Sequence, residues 1–293
     1  MGNTMSDFED KVVIVTGAGG GIGRCHALEF ARRGAKVVVN DLGGAVDGTG
    51  SSDAADAVVE EIKAEGGTAI ANKASVADPE GAKSIVDDAV NAFGTVHIVV
   101  NNAGILRDKT FKKMPLEDFD LVMQVHLRGT AYVTHAAWPI MYDQNYGRVV
   151  FTSSTSGILG SYGQANYGAA KMAMLGLMNN LAREGANHNV RVNCLSPGAS
   201  TRMVATIPGS EEQDPDNPSM PPELVTPAVL YMCMEDAPNG KTIHAFGGRY
   251  RLSEVYINDG VDLGREATLE DLVANSDALM DMSSAKIATS LSD

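Results

Sequence analysis

Short apolar runs alternate with longer stretches of helical spacing along most of the chain. Residues 12–16 (Val-Val-Ile-Val-Thr) form the first such run and read as a strand buried on both faces. Residues 36–41, 68–72, 96–100, 148–154, 190–196 and 242–246 repeat the pattern, which makes about seven strands. Pro197-Gly198 is expected to break the sixth, and residues 249–257 alternate as a hairpin strand would. Between these runs apolar residues recur every three or four positions over 24–33, 53–64, 117–138, 165–184 and 222–234. The stretch opened by Asp78-Pro79 adds Ala82, Ile85, Val86, Ala89, Val90 and Phe93. Strand and helix in strict alternation imply an α/β fold on a parallel sheet. We read residues 1–10 as a disordered tail, 11–263 as one catalytic domain and 264–293 as a helical extension, with an amphipathic helix at 268–282. Residues 42–52 make a flexible loop longer than such a connection needs. Residues 203–222 hold five prolines and several acids and read as a substrate loop.

Composition narrows the class. The chain has 293 residues, 44% of them hydrophobic, enough for a large core. Its 23 basic and 37 acidic side chains leave a formal charge of −14, which disfavours nucleic acid and anionic membranes as partners. No apolar run approaches the roughly 20 residues of a membrane span. Cys25, Cys194 and Cys233 are odd in number and far apart, so reduced thiols and a cytoplasmic location are expected, with no metal site.

Candidate chemistry gathers where strands end. Gly17-Ala-Gly-Gly-Gly-Ile-Gly23 lies between a strand and a helix, the setting in which glycines let backbone approach a pyrophosphate at a helix N-terminus. Asp41 closes the second strand, where a carboxylate grips ribose hydroxyls and repels a 2′-phosphate; this favours NAD over NADP. Tyr167 and Lys171 stand one helical turn apart, so the ammonium should lower the phenol's pKa and suit it to proton transfer at a carbinol or carbonyl oxygen. Ser154, at the end of a strand, offers a hydroxyl to the same oxygen. Arg107, Lys109, Lys112 and Lys113 form a basic cluster that reads either as a solvated loop or as a phosphate contact. His97 reads as structural.

Taken together, Thr16-Gly17-x-x-x-Gly21-x-Gly23, Asn101-Asn-Ala-Gly104, Ser154, Tyr167-x-x-x-Lys171 and Pro197-Gly198 resemble the short-chain dehydrogenase/reductase family over about residues 10–263. The stretches Asn40-Asp-Leu-Gly-Gly44, Gly104-Ile-Leu-Arg-Asp108, Val125-His-Leu-Arg-Gly129 and Gly163-Gln-Ala-Asn-Tyr167 are similar to its (3R)-hydroxyacyl-CoA dehydrogenase branch. The resemblance implies a single-domain Rossmann-like doubly wound sheet with helices on both faces. It also implies an NAD-dependent oxidoreductase that interconverts a (3R)-3-hydroxyacyl-CoA and a 3-oxoacyl-CoA. Ser154, Tyr167, Lys171 and His126 would be catalytic. Gly17, Gly21, Ile22, Gly23, Asp41, Ser75, Val76, Asn102, Ala103, Gly104, Tyr167, Lys171, Pro197, Gly198 and Thr201 would hold the cofactor. Two departures stand out: His126 takes a place the family commonly gives to Asn, and Thr201 lies one position before the usual threonine, which is replaced by Arg202. The alternatives are a hydroxysteroid or sterol-side-chain acyl-CoA dehydrogenase, a 3-oxoacyl reductase using NADPH (against which Asp41 speaks), and an inactive NAD-binding sensor. A homodimer is expected, from pairing of the helices at 117–138 and 165–184 with those of a second copy.

Overall fold

In a computed structural model, which describes residues 7–200 and 220–288, the chain divides into two compact units, residues 1–251 and 252–293. The first is built on a sheet of eight strands. In chain order they are β1 (Val12–Thr16), β2 (Lys36–Asn40), β3 (Thr68–Asn72), β4 (Ile98–Asn101), β5 (Gly147–Thr152), β6 (Val190–Gly198), β7 (Thr242–Phe246) and β8 (Arg249–Ser253), the last crossing into the second unit. Their order in the sheet is β3-β2-β1-β4-β5-β6-β7-β8, and β1 to β7 pair in parallel. The eighth strand is the alternating segment after residue 248. Gly247 and Gly248 both have positive φ (50° and 80°), so a two-residue turn of the primed kind joins β7 to β8. A connection this short can only return antiparallel.

Alternation along each strand sorts side chains to two faces. Val13 and Val15 of β1 join Val37, Val39, Phe30, Ile62 and Val229 in one core. That core is covered by α1 (Gly21–Arg32), α2 (Ala54–Ala64) and α8 (Thr226–Cys233). Val12 and Ile14 join Val38, Ile85, Val133, Met141 and Met174 in the other, under α3 (Pro79–Phe93), α5 (Gly129–Asp143) and α7 (Ala165–Glu184). Each fully buried Val, Ile or Met contributes about 1.5–3 kcal/mol of burial, so both faces are tightly specified.

Several boundaries differ from the pattern. β6 does not stop before Pro197: Pro197 and Gly198 pair with Ala245 and Phe246 of β7. The proline is tolerated because β5 has already ended at Thr152, opposite Leu195, so no ladder partner on that side needs its missing N–H. Helix α1 starts at Gly21, inside the glycine run, because its N-terminal turn is set by Gly20 rather than by helix propensity. The expected long helix is α4 (Leu116–Met123), a π-helical turn at Gln124–Arg128, and α5, continuous to Asp143. The 42–52 loop, expected to be flexible, is folded back on the body. Leu106 N–H donates to Val46 O at 2.9 Å, and Arg107 Nε donates to Asp47 O at 2.9 Å.

Described by itself, the second unit holds two short helices, α9 (Leu269–Ala274) and α10 (Ser276–Met280). It also has a two-stranded ladder of β9 (Tyr256–Ile257) with β10 (Lys286–Ile287). Thr268 and Asp271 form a capping box on α9. The expected helix at 268–282 is therefore two, divided at Asn275. No described helix is long and apolar enough to cross a membrane. The three cysteines are buried and free.

Candidate active site

Strand order reverses at β1, whose neighbours are β2 on one side and β4 on the other, so a crevice opens beyond the carboxyl ends of β1 and β4. A cavity of about 370 Å³ occupies it. Asn102 staples the two strand ends together. Its N–H donates to Thr16 Oγ1 at 3.0 Å, and its side-chain amide donates to Thr16 O and Gly17 O at 3.1 and 3.0 Å. Gly17, Gly20, Gly21 and Ile22 form one wall. The first turn of α1 has neither a side-chain cap nor an acidic residue, so no side chain competes for its N-terminal N–H groups, and Gly20, Gly21 and Ile22 of this turn line the cavity.

Asp41 lines the cavity beside this turn. One carboxylate oxygen accepts from Gly19 N–H and the other from Gly43 N–H, both at 2.7 Å. The loop-capping and ligand-gripping readings therefore coexist, because an ionised carboxylate has about four acceptor sites and two are used here. Ser75, Val76, Asn102, Ala103, Gly104 and Pro197 also line the space; Gly23 and Gly198 do not. Thr201, Arg202 and the expected substrate loop up to 219 lie outside the described residues. Sequence reasoning missed the loop that supplies Leu42, Gly44, Ala45, Val46 and Gly48 to the lining; its length was the available signal.

At the far end of the cavity stand Tyr167, Lys171 and His126. Lys171 Nζ lies 5.4 Å from the Tyr167 ring and donates to Thr152 O at 2.6 Å. Ser153 Oγ donates to Lys171 O at 2.8 Å, fixing α7 to the end of β5. Ser154 caps the short helix α6 (Thr155–Ile158) and accepts from Ser156 N–H at 3.1 Å; its hydroxyl is near enough to Tyr167 to pull the phenol's pKa down.

The electrostatics correct one expectation. Burial pushes the Tyr167 phenol up to about 12, with the Ser154 hydrogen bond pulling down and Asp108 pushing further up. Burial also brings the Lys171 ammonium down to about 7. The lysine was expected to depress the tyrosine, but it is itself close to discharge at neutral pH, so desolvation wins.

His126 is 1% exposed and sits in the π-helical turn, a feature common at functional sites. Its Nε2 is 3.0 Å from Ile105 N and 2.8 Å from Ile105 O, and one nitrogen cannot accept from the first and donate to the second in the same tautomer. A β-carbon at Gly104 would lie 2.3 Å from the imidazole, so only glycine admits this ring. Burial and the Lys171 charge keep the imidazole neutral, well below its usual pKa.

The basic cluster is half spent. Arg107 and Lys109 both pair with Asp118, at 2.9 and 3.0 Å. Among the described residues only Lys112 and Lys113 of the four remain without a carboxylate partner.

Whether a dinucleotide fits can be judged from the lining. The uncapped α1 N-terminus suits a pyrophosphate, and Asp41 keeps free lone pairs for ribose hydroxyls. Two buried polar atoms on the lining, His126 Nδ1 and Thr152 Oγ1, have no partner. These features fit a polar, phosphate-bearing guest.

Comparison with known proteins agrees. The sequence pattern of the short chain dehydrogenase family matches residues 11–212. A Mycobacterium tuberculosis protein named as a short-chain type dehydrogenase/reductase is 48% identical over 286 residues, 97% of this chain and 99% of its own length. The peroxisomal multifunctional enzyme A of Dictyostelium discoideum is 53% identical over 231 residues, 78% of this chain; the chain spans 51% of that enzyme's length. The solved structure of full-length peroxisomal multifunctional enzyme type 2 from Drosophila melanogaster superposes with a TM-score of 0.79 at 37% identity. That match covers 97% of this chain and 48% of that one. A 7α-hydroxysteroid dehydrogenase solved with NADH and 7-oxo glycochenodeoxycholic acid superposes with a TM-score of 0.74 at 29% identity, covering 85% of this chain and 98% of that one. The chain belongs to the short chain dehydrogenase family and is an oxidoreductase of that kind.

Proposed function

We propose that the protein is an NAD-dependent dehydrogenase interconverting a (3R)-3-hydroxyacyl-CoA and a 3-oxoacyl-CoA. The observation that carries the reading is a single cavity with Tyr167 and Lys171 at one end and Asp41 at the other. The similarity to peroxisomal multifunctional enzymes supports the substrate class. Asp41 supports NAD, because its carboxylate disfavours a 2′-phosphate.

Bound in the crevice, the nicotinamide would accept or supply the hydride. Gly17, Gly21 and the α1 N-terminus would hold its pyrophosphate, Asp41 a ribose, and Lys171 the other ribose. Ser154 gives its hydroxyl hydrogen to the reacting oxygen. Tyr167 takes the hydroxyl proton in oxidation and returns it in reduction. Because burial holds Tyr167 as a phenol, the site is poised as an acid. Oxidation therefore speeds up with rising pH, whereas reduction is supported at neutrality. The protein works in the cytoplasm, a reading its free buried thiols support, and as a homodimer in which α4–α5 and α7 would supply the faces that meet a second copy.

A panel of CoA esters and hydroxysteroids with NAD and NADP, followed at 340 nm and ranked by kcat/KM, tests the reading. A (3R)-3-hydroxyacyl-CoA with NAD should rank first. Tyr167→Phe should lose turnover by at least about a hundredfold while NADH binding, read by fluorescence, stays intact. A hydroxysteroid at the head of the list would replace the substrate class. No turnover with any alcohol would leave a nicotinamide-binding protein without catalysis.

A further inference from the structure

The residues flanking Tyr167 carry a chain of hydrogen bonds that the reaction as described leaves unused. Gln164, the N-cap residue of α7, donates from Nε2 to Asp108 Oδ2 at 2.6 Å. A carboxylate only accepts, so the amide has one possible orientation, with Oε1 turned the other way. That oxygen accepts from Ser156 Oγ at 2.8 Å, and Ser156 N–H donates to Ser154 Oγ. Because the Ser154 oxygen already receives the Ser156 N–H, its own hydrogen is free for Tyr167 or a substrate oxygen. Two further links frame Asp108 against the lead-in to α7. Lys109 N–H donates to Gly163 O at 2.9 Å, and Asn166 Nδ2 donates to Arg107 O at 3.0 Å.

We propose that Asp108 and Gln164 are positioning residues of this site: through Ser156 they aim the Ser154 hydroxyl, and the Asp108 carboxylate, tied to the N-cap of α7 three residues before Tyr167, stands there as a fixed negative charge. The proposal rests on the dehydrogenase reading above. The titratable groups around Tyr167 are Lys171 on its own helix, His126 from the π-helical turn and Asp108 from the segment after β4, which is tied to the α7 N-cap through Gln164. His126 is neutral and Lys171 is near discharge at pH 7, which leaves the Asp108 carboxylate, itself shifted up by burial and held down by the Gln164 hydrogen bond, as the remaining charge among them. Its anion opposes phenolate formation. Arg107 and Lys109, the nearest cations along the chain, are held by Asp118 and do not cancel it.

The experiment compares pH profiles of kcat for the wild type, Asp108→Asn, Asp108→Glu and Gln164→Leu. Asp108→Asn keeps an acceptor for Gln164 but removes the charge. The limb assigned to Tyr167 should then move to lower pH by a few tenths of a unit or more, and Asp108→Glu should restore it. Gln164→Leu cuts the chain without removing the charge. Its kcat should fall about tenfold or more with the limb unmoved and KM little changed. A second readout needs no turnover. A fluorinated, more acidic tyrosine at position 167, titrated by fluorine NMR, should show a lower pKa in Asp108→Asn than in the wild type. If the Asp108→Asn profile and the fluorine titration both superimpose on the wild type, the proposal is overturned. It is also overturned if Gln164→Leu keeps full kcat. If the wild type oxidises no alcohol at all, the dehydrogenase reading fails instead, and the fluorine titration still decides the role of Asp108.

Discussion

Asp41 shows how a residue can be legible in type and still be underread. Its place after β2 marked it as a ribose partner, and the structure adds that it ties Gly19 and Gly43 to itself. Truncation to alanine would therefore loosen the glycine loop as well as remove charge. The cleaner test is Asp41→Asn, which keeps an acceptor for a backbone N–H while abolishing the repulsion of a 2′-phosphate. We expect the preference for NAD over NADP, measured as a ratio of kcat/KM, to shrink by about tenfold or more, since one lost charge contact amounts to roughly 1.4 kcal/mol or above. An unchanged ratio would remove Asp41 from cofactor choice. The same limit of reading applies to Tyr167 and Lys171. Their spacing was visible in the sequence, but the desolvation that raises one and lowers the other depends on strands and helices far apart in the chain. Asp108 ends a stretch similar to the family branch and carries no signal of its own in the sequence. Its action on Tyr167 exists because α7 begins beside it, 56 residues from Gln164 in sequence.

At the scale of elements, the strands were legible because burial on both faces writes itself as unbroken apolar runs, and five-residue runs such as Val12–Thr16 came out with their bounds intact. The start of α1 inside the glycine run and the π-helical turn were not, because they are set by backbone packing that no periodicity records. Nor was the stapling of α1 to the segment after residue 220. There Cys25 lies 3.8 Å from Glu223, and His26 Nδ1 lies 2.9 Å from Thr226 Oγ1. His26 is 0% exposed, its Nε2 has no partner, and burial brings it down to about 3. Its folded pKa is thus below the value near 6.5 expected when unfolded. Between these two values the unfolded chain binds a proton that the folded chain refuses, so stability falls as pH drops from about 6.5 toward 3. By pH 5 this one group costs about 2 kcal/mol. His126 acts in the same direction and remains as background. His26→Asn keeps a polar atom near the Nδ1 position and cannot take up the proton. Denaturant titrations from pH 7 to 5 should therefore show a flatter decline for the variant by about 2 kcal/mol. Parallel declines would place the acid sensitivity elsewhere.

At the scale of the molecule, the two units differ in kind. The first has two cores, one on each face of its sheet, and supplies every described residue of the cavity. The second has secondary structure without a core. None of its described residues from 252 to 288 is buried, and Val255, Leu269, Val273 and Met280 are each more than half exposed. Its helices, of six and five residues, are too short to persist on helix propensity alone, since isolated helices below about 12–15 residues are marginal in water. A segment of this size without disulfides or metal also falls near the lower limit of about 40 residues for independent folding. The capping box on α9 contributes about 1 kcal/mol, far less than the ordering cost of about 1–2 kcal/mol per residue. The segment 252–293, produced alone, should therefore give the circular dichroism of an unfolded chain with no cooperative thermal transition. Addition of the 1–251 portion in trans would then ask whether the first unit can impose the fold. Helical ellipticity and a sharp melt in the isolated segment would show that its sequence folds without help, against the burial pattern described here.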